Sequence, residues 1–282
     1  MSAYRFCRTD DIALLVDALN RCWAPYFPGE PPVTPATFKR SIRDLQVWCS
    51  SCMVSFSGSD PIGVLIGAKR PWGTLVHRIA VHPEHRRQGH GRHLLTSLGS
   101  KLAILGPPRI VAEVPESLSD ACELFGATGF VQEAVLTDYV LQGDEAPRTQ
   151  DVAGAGIVIP ITVDDLAANG LIEGACGRAC WQRSAETLLA LKDDLDGLAV
   201  VSDEGIDAYL IYKDEEIVSL RSFVNDGGDR LGRLIARLRR RGIGTLRFPK
   251  VHPEEMPKAS LETLGFRPTG THLLYSSTAR PN

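Results

Sequence analysis

Short apolar runs bounded by turn-forming residues predict strands at Tyr4–Cys7, Val47–Phe56, Ile62–Ala68, Thr74–Val81 and Ile110–Val114. Between them, helical spacing and start signals predict helices after Thr9-Asp10-Asp11, near Thr37–Leu45, over Gly89–Leu105 and over Ser119–Thr128. Gly58-Ser59-Asp60 has the composition of a tight turn between two of the strands. Strands cluster early and alternate with helices late, which gives a mixed α/β (α+β) class. Apolar, alternating segments flank the polar stretch Gly143 to Gly156: AVLTDYVL before it and IVIPI after it. That stretch reads as a linker, so the expected domains are 1–145 and 157–282, with 146–156 between them.

The length of 282 residues agrees with two domains. Internal similarity points to two copies of one fold. At an offset of 136, Gly129-Phe130 falls on Gly265-Phe266, Ile110-Val111-Ala112 on Leu246-Arg247-Phe248, and Gly91 on Gly227. Thr9-Asp10-Asp11-Ile12 resembles Val163-Asp164-Asp165-Leu166, and the Pro-rich segment Pro25 to Pro35 accounts for much of the changed spacing there.

Composition excludes several classes. With 44% hydrophobic and 23% charged residues the chain is too apolar for disorder. No apolar run approaches a membrane span and the N-terminus carries acids where a signal peptide would carry its apolar stretch, so a cytoplasmic protein with no membrane partner is expected. Basic and acidic residues are 15 against 15 in residues 1–150 and 16 against 19 beyond, which gives no reason to expect nucleic acid. The basic run Arg230 to Arg241 puts Leu231, Leu234, Ile235 and Leu238 on one helix face and arginines on the other, as a solvated amphipathic helix does. The seven cysteines are scattered. Cys49 and Cys52 lie in an expected strand and Cys176 and Cys180 on an expected helix; both pairs read as plain cysteines, and no metal site is expected. Trp181 reads as helix packing.

The chemistry concentrates in Thr74 to Leu95, TLVHRIAVHPEHRRQGHGRHLL. A strand ends at Val81, Pro83 breaks it, and a basic Gly-rich turn leads into a helix. The free N–H groups of the helix's first turn, with Arg86, Arg87 and Arg92, make an anion cradle suited to a pyrophosphate. The P-loop and dinucleotide fingerprints are both absent here. The pattern present is R-x-x-G-x-G, followed downstream by Ala121, Phe125, Gly129 and Phe130 as A-x-x-x-F-x-x-x-G-F.

In these two motifs the sequence resembles the GNAT superfamily of acyl-CoA-dependent N-acyltransferases. The resemblance implies two tandem GNAT-like domains, each a mixed, largely antiparallel sheet flanked by helices, with the first sheet splayed around acetyl-CoA. It implies that Gln88, Gly89, His90, Gly91 and Arg92 hold the pyrophosphate through their N–H groups, and that the main chain of Ile79, Ala80 and Val81 pairs with the pantetheine. Ser117, Ala121 and Phe125 would line the wall near the thiol. His77 shares a strand face with Ile79 and Val81 by the period of two and is the candidate base. Phe125 departs from the family, many members of which carry a proton-donating Tyr there. Trp23, Tyr26 and Phe27 stand where the family builds its acceptor lip.

The expected activity is acetyl transfer from acetyl-CoA to the primary amine of a small molecule in the first domain. The alternatives are a non-catalytic acyl-CoA-binding module and an acetyltransferase acting on protein Lys or N-termini. In the second copy Asn225-Asp226-Gly227-Gly228-Asp229 replaces the arginines with aspartates, which repel a pyrophosphate. That copy is expected to be degenerate, shaping either the acceptor cleft or a homodimer surface.

Overall fold

The computed structural model describes residues 2–143, 156–172 and 179–280. The chain forms two compact units, Met1–Glu133 with Leu273–Asn282, and Ala134–His272. Apart from Gly156, the expected linker lies outside the described residues. The units divide within two strands, at Glu133 and at Leu273, and not at that linker.

The first unit runs β1 (Ser2–Phe6), α1 (Ile12–Cys22), α2 (Pro35–Leu45), β2 (Met53–Ser57), β3 (Asp60–Arg70), β4 (Gly73–Val81), α3 (His90–Leu105), β5 (Arg109–Pro115), α4 (Ser119–Ala127) and the start of β6 (Val131–Leu141). Strands β1 to β4 pair antiparallel in order and β5 joins β4 in parallel. Local signals start the helices: Thr34 and Thr37 form a reciprocal capping box at α2, and Pro35 supplies the first helical residue. Helix α3 packs Leu94, Leu98 and Leu102 against Ile110, Ala112 and Val114 of β5. Each such leucine removed from water contributes about 1.5–3 kcal/mol, which fixes the helix and its first turn against the sheet.

Two details of this sheet position the site. Strand β4 pairs with β3 along its whole length, from Gly73↔Arg70 to Val81↔Gly63, yet meets β5 only at Thr74↔Ile110 and Leu75↔Val111. Beyond Leu75 the two strands part. The β3–β4 register also slips, with Val76 opposite Gly67 and Arg78 opposite Ile66, so His77 is the extra residue of a β-bulge.

The structure corrects the expected strand Val47–Phe56. Val47 makes an isolated bridge to Ala68, Cys49–Ser51 forms a turn of 3-10 helix, and β2 begins at Met53. Bonds from Ser51 N to Trp48 O and from Cys52 N to Cys49 O close that turn, which the polar Ser50-Ser51 step favours over an apolar strand. Cys49 and Cys52 are buried in it, and burial pushes both thiols up, away from redox chemistry.

The second unit contains the rest of β6, β7 (Ile157–Pro160), α5 (Val163–Ala168), α6 (Ala185–Ala190), β8 (Asp196–Ser202), β9 (Gly205–Lys213), β10 (Glu216–Ser222), α7 (Asp229–Arg240), β11 (Leu246–Val251), α8 (Lys258–Thr263) and the first half of β12 (Arg267–Thr278). It repeats the arrangement of the first: β7 to β10 pair antiparallel, and β10 meets β11 in parallel at Glu216↔Arg247. Leu231, Leu234, Ile235 and Leu238 of α7 are buried in its core, as the amphipathic reading requires. Trp181 is buried but sits in a 3-10 turn, Trp181–Arg183, which Cys180 precedes; Cys176 lies outside the described residues. The ungapped repeat is corrected as well. Helix α3 starts on Gly89 and α7 on Gly228, so Gly228 and not Gly227 is the equivalent of the first helix-starting glycine. The 16-residue α3 is shorter by a turn in its counterpart, which has 12 residues.

Candidate active site

In the first unit a cavity of about 590 Å³ opens where β4 leaves β5. Its walls are Ile79, Ala80 and Val81 of β4, the turn from His85 to Arg92, Ser117 to Ala121 with Glu123, Leu124 and Ala127 of α4, and Trp23, Tyr26 and Phe27. Its volume suits one arm of a small ligand.

The floor is a free strand edge. His82 N donates to Ile62 O on β3 at 2.8 Å, so the carbonyl of the preceding Val81 points the other way, toward the cavity. Ile79 stands two residues back and shares that direction. Apart from Val81 O, which accepts from the Tyr26 hydroxyl, the N–H and C=O groups of this edge are thus open to an extended ligand carrying amides.

The anion end is the start of α3. Gly89 takes φ +85°, and a Cβ built on it would meet nothing within 4 Å. Only glycine adopts this left-handed cap freely. Among the described residues no backbone or side-chain acceptor takes the N–H groups of Gln88, Gly89, His90, Gly91 or Arg92; the first helical bond runs from His93 N to Gly89 O. Five donors are thus left unbonded at the positive end of a 16-residue helix. Burial, then the neighbouring His85 and His93, hold the His90 imidazole below the usual range, and Nδ1 shares a hydrogen bond with the Tyr4 hydroxyl at 2.7 Å.

Most expected site residues therefore share one cavity: Trp23, Tyr26, Phe27, Ile79, Ala80, Val81, Arg86, Arg87, Gly89, His90, Gly91, Arg92, Ser117 and Ala121. Gln88 belongs to the same turn through its backbone. Phe125 does not reach the cavity. It is 2% exposed, edge-on to Phe130 at 5.0 Å and stacked on Tyr275 at 5.8 Å, so it acts as core. His77 is half-buried on the bulge, two residues past the last β4–β5 rung, at the apex of the divergence. It is not a wall residue of the cavity, and the bulge breaks the period-two count that put it on the face of Ile79 and Val81.

Several contacts were not foreseen. Arg86 bonds Asp120, and Arg87 bonds Asp120 at 2.6 Å and Glu123 at 3.2 Å, so both arginines reach across the cavity mouth to α4. Such exposed pairs are each worth about 0–1 kcal/mol and yield readily to a stronger anion. At the aromatic lip Trp23 stacks on Phe27 at 4.5 Å, its Nε1 donates to Glu30 at 3.0 Å, and the Arg78 guanidinium lies 5.0 Å from its ring. Asp120 and Glu123 at i,i+3 on α4 were a legible signal for a charged helix face, but their partners were not. His82, Glu84 and His85 bring ligand atoms within 4.8 Å of one another beside the cavity, although no metal site was expected.

In the second unit the corresponding helix start is filled by the chain itself. The Asp226 carboxylate accepts from Gly228 N at 3.0 Å, from Arg230 N at 3.0 Å and from Arg230 Nη1 at 3.1 Å, while Arg230 Nε donates to Asp207 at 2.9 Å. Burial pushes the Asp226 carboxyl up, but the bonds from Arg230 and Gly228 outweigh it and hold it below the usual range.

Comparison with known proteins agrees with this geometry. Residues 14–130 match the model of the acetyltransferase (GNAT) family. No curated protein matches the sequence. Among solved structures, a tandem GNAT protein from the clavulanic acid biosynthesis pathway superposes with a TM-score of 0.66 at 16% identity, over 100% of both chains. A GCN5-related N-acetyltransferase from Sphaerobacter thermophilus gives 0.68 at 15% identity, over 100% of this chain and 96% of that one. An acetyltransferase from Pyrococcus horikoshii, described as putative, gives 0.66 at 16%, over 99% and 90%. At these identities the likeness is one of fold. No helix among the described residues is long and apolar enough to cross a membrane. The chain has the fold of tandem GNAT proteins, and its residues 14–130 are a domain of the acetyltransferase (GNAT) family.

Proposed function

We propose that the first unit is an acetyl-CoA-dependent N-acetyltransferase acting on the primary amine of a small molecule. The observation that carries this reading is the free edge of β4 running from the strand divergence to five unbonded N–H groups at the start of α3. These features fit acyl-CoA part by part: the edge suits the two amides of its pantetheine arm, and the helix start suits its diphosphate. When bound, it supplies a thioester carbonyl open to attack by a neutral amine.

The residues of the chain do the rest. The N–H groups of Gln88 to Arg92 hold the diphosphate, and Arg86 and Arg87 turn toward it from their exposed acidic partners. Ile79 and Val81 fix the depth of the arm, so that its reactive end reaches the apex of the cleft near His77. A primary amine with a pKa of about 10 is neutral in about one molecule per thousand at pH 7, so a proton must be removed before attack. His77 is the proposed acceptor of that proton, directly or through water. The leaving thiolate has an ordinary pKa of about 8.5 and departs without help from Phe125, which has no proton to give. Trp23 and Phe27 present an aromatic face to the acceptor. In this reading the tandem domains are 1–145 and 157–282, and the second keeps the fold with its helix start closed by Asp226.

Thiol release from acetyl-CoA over a panel of small amines and a Lys peptide tests the proposal. Amine-dependent turnover with the small molecules is expected. Thermal stabilisation by acetyl-CoA with no turnover for any amine would replace it by a binding module, and turnover with the peptide alone by a protein acetyltransferase.

A further inference from the structure

The free edge of β4 is already covered at one point. The hydroxyl of Tyr26 donates to the Val81 carbonyl at 2.6 Å, across 55 residues of sequence. This is the carbonyl that the β3–β4 register turns toward the cavity, and β5 has left the strand six residues earlier. The ring of Tyr26 is 37% exposed and lies 5.7 Å from the Arg86 guanidinium, so it spans from the strand edge to the anion end. Backbone turns hold its segment, with Tyr26 N donating to Trp23 O and Phe27 N to Ala24 O. Burial pushes the phenol up, which keeps its proton in place for donation.

The donor arm has its own use for that carbonyl. An extended chain carrying amides pairs with a strand edge by giving N–H to C=O, and Val81 O is the acceptor nearest the anion end. The carbonyl has two lone pairs, but Tyr26 lines the same cavity as Val81, so phenol and arm compete for the approach to it. Tyr26 also shares a short turn with Trp23 and Phe27, whose stacked rings line the same cavity.

We propose that Tyr26 is a gate on the donor strand: its hydroxyl holds the Val81 carbonyl until a pantetheine amide takes it, and its release repositions the Trp23–Phe27 lip for the acceptor. The inference rests on the acyl-CoA reading of the cavity and adds to it a competing internal donor.

Tyr26→Phe removes the competing hydroxyl and keeps the ring. A neutral hydrogen bond contributes about 0.5–1.5 kcal/mol net, so the variant should bind CoA about two- to tenfold more tightly than the wild type by calorimetry. Adenosine 3′,5′-bisphosphate carries the nucleotide end without the pantetheine arm and should bind both proteins equally. Trp23 fluorescence should change when CoA binds the wild type and not when the bisphosphate does. An unchanged or weaker CoA affinity in Tyr26→Phe, or an equal shift for both ligands, overturns the gate while leaving acyl-CoA binding intact. Failure of the wild type to bind CoA overturns the acyl-CoA reading, and the gate with it. A melting temperature matching the wild type shows that an affinity change does not come from lost folding.

Discussion

Gly89 and Gly228 offer a matched pair of perturbations. Both start a helix, at φ +85° and φ +93°, and an alanine in either place takes on the same backbone strain. That strain is about 1–2 kcal/mol, since the left-handed region brings Cβ against the following carbonyl. Neither new methyl meets a serious clash. The Cβ at Gly89 has nothing within 4 Å, and the Cβ at Gly228 lies 3.6 Å from Leu264, an ordinary contact. The two variants should therefore lose similar stability, with the melting temperature falling by roughly 2–8 °C. They should part in binding. A methyl at Gly89, a cavity-lining residue among the unbonded N–H groups, should displace the diphosphate from contact distance. Loss of one or two charge-assisted bonds of about 1.5–3 kcal/mol each weakens CoA by at least tenfold. At Gly228 the carboxylate of Asp226 already occupies the helix start, so CoA affinity should not move. Calorimetry with CoA and thermal melts on both variants make the test. Equal losses of CoA affinity, or a Gly89→Ala protein with lowered melting temperature and unchanged affinity, would refute the assignment of the α3 start as the donor's anion site.

Replacing His77 with Gln should lower kcat/KM by about 10²–10⁴ and flatten its rise with pH, while CoA affinity stays within twofold; an unchanged pH profile ends its role as base. Asp226→Asn should cost the second unit about 1 kcal/mol or less, because the carboxylate is partly solvated. Its stabilisation is present above the unfolded carboxyl pKa of about 4 and is lost as pH falls through the lower folded value, so wild type and variant should converge only in melts below the usual carboxylate range. Phe125→Tyr brings in the hydroxyl that many relatives carry, but into a packed core beside Phe130 and Tyr275. It should lower stability by about 1–3 kcal/mol and leave kcat unchanged; a clear gain in kcat would show that the position does reach the thiol.

What the sequence revealed of the site was what lies close along the chain. A strand end, a breaking proline, glycines and a helix start follow one another within 20 residues, and local backbone preference turns that order into a cradle. The free edge at Ile79 and Val81 was legible for the same reason. The bulge at His77 was not, because it belongs to the register with the partner strand, beside Gly67, where a Cβ would lie 2.5 Å from Ser51 O. The arginine pairs to Asp120 and Glu123 and the Tyr26 bond to Val81 span more than 30 residues each and leave no trace in periodicity. Phe125 failed in a different way: its spacing fitted the motif, while its side chain, apolar and without a hydrogen-bonding group, went to the core.

The two helix starts show how duplication can separate fold from chemistry at one residue. Both use a left-handed glycine to expose N–H groups, which a side chain, an anion or water can take up. At α7 the chain provides it, with Asp226 taking Gly228 N and Arg230 N, and the Arg230 guanidinium balancing its charge between Asp226 and Asp207. At α3 the residue two before the glycine is Arg87, a cation, with φ +59° and its side chain turned out to α4. A carboxylate there would close the donors internally, as it does at α7. A cation leaves them unpaired and adds attraction for an anion from solution. The same backbone device thus occurs in both units, but only at α3 are its donors left open to an anion from solution.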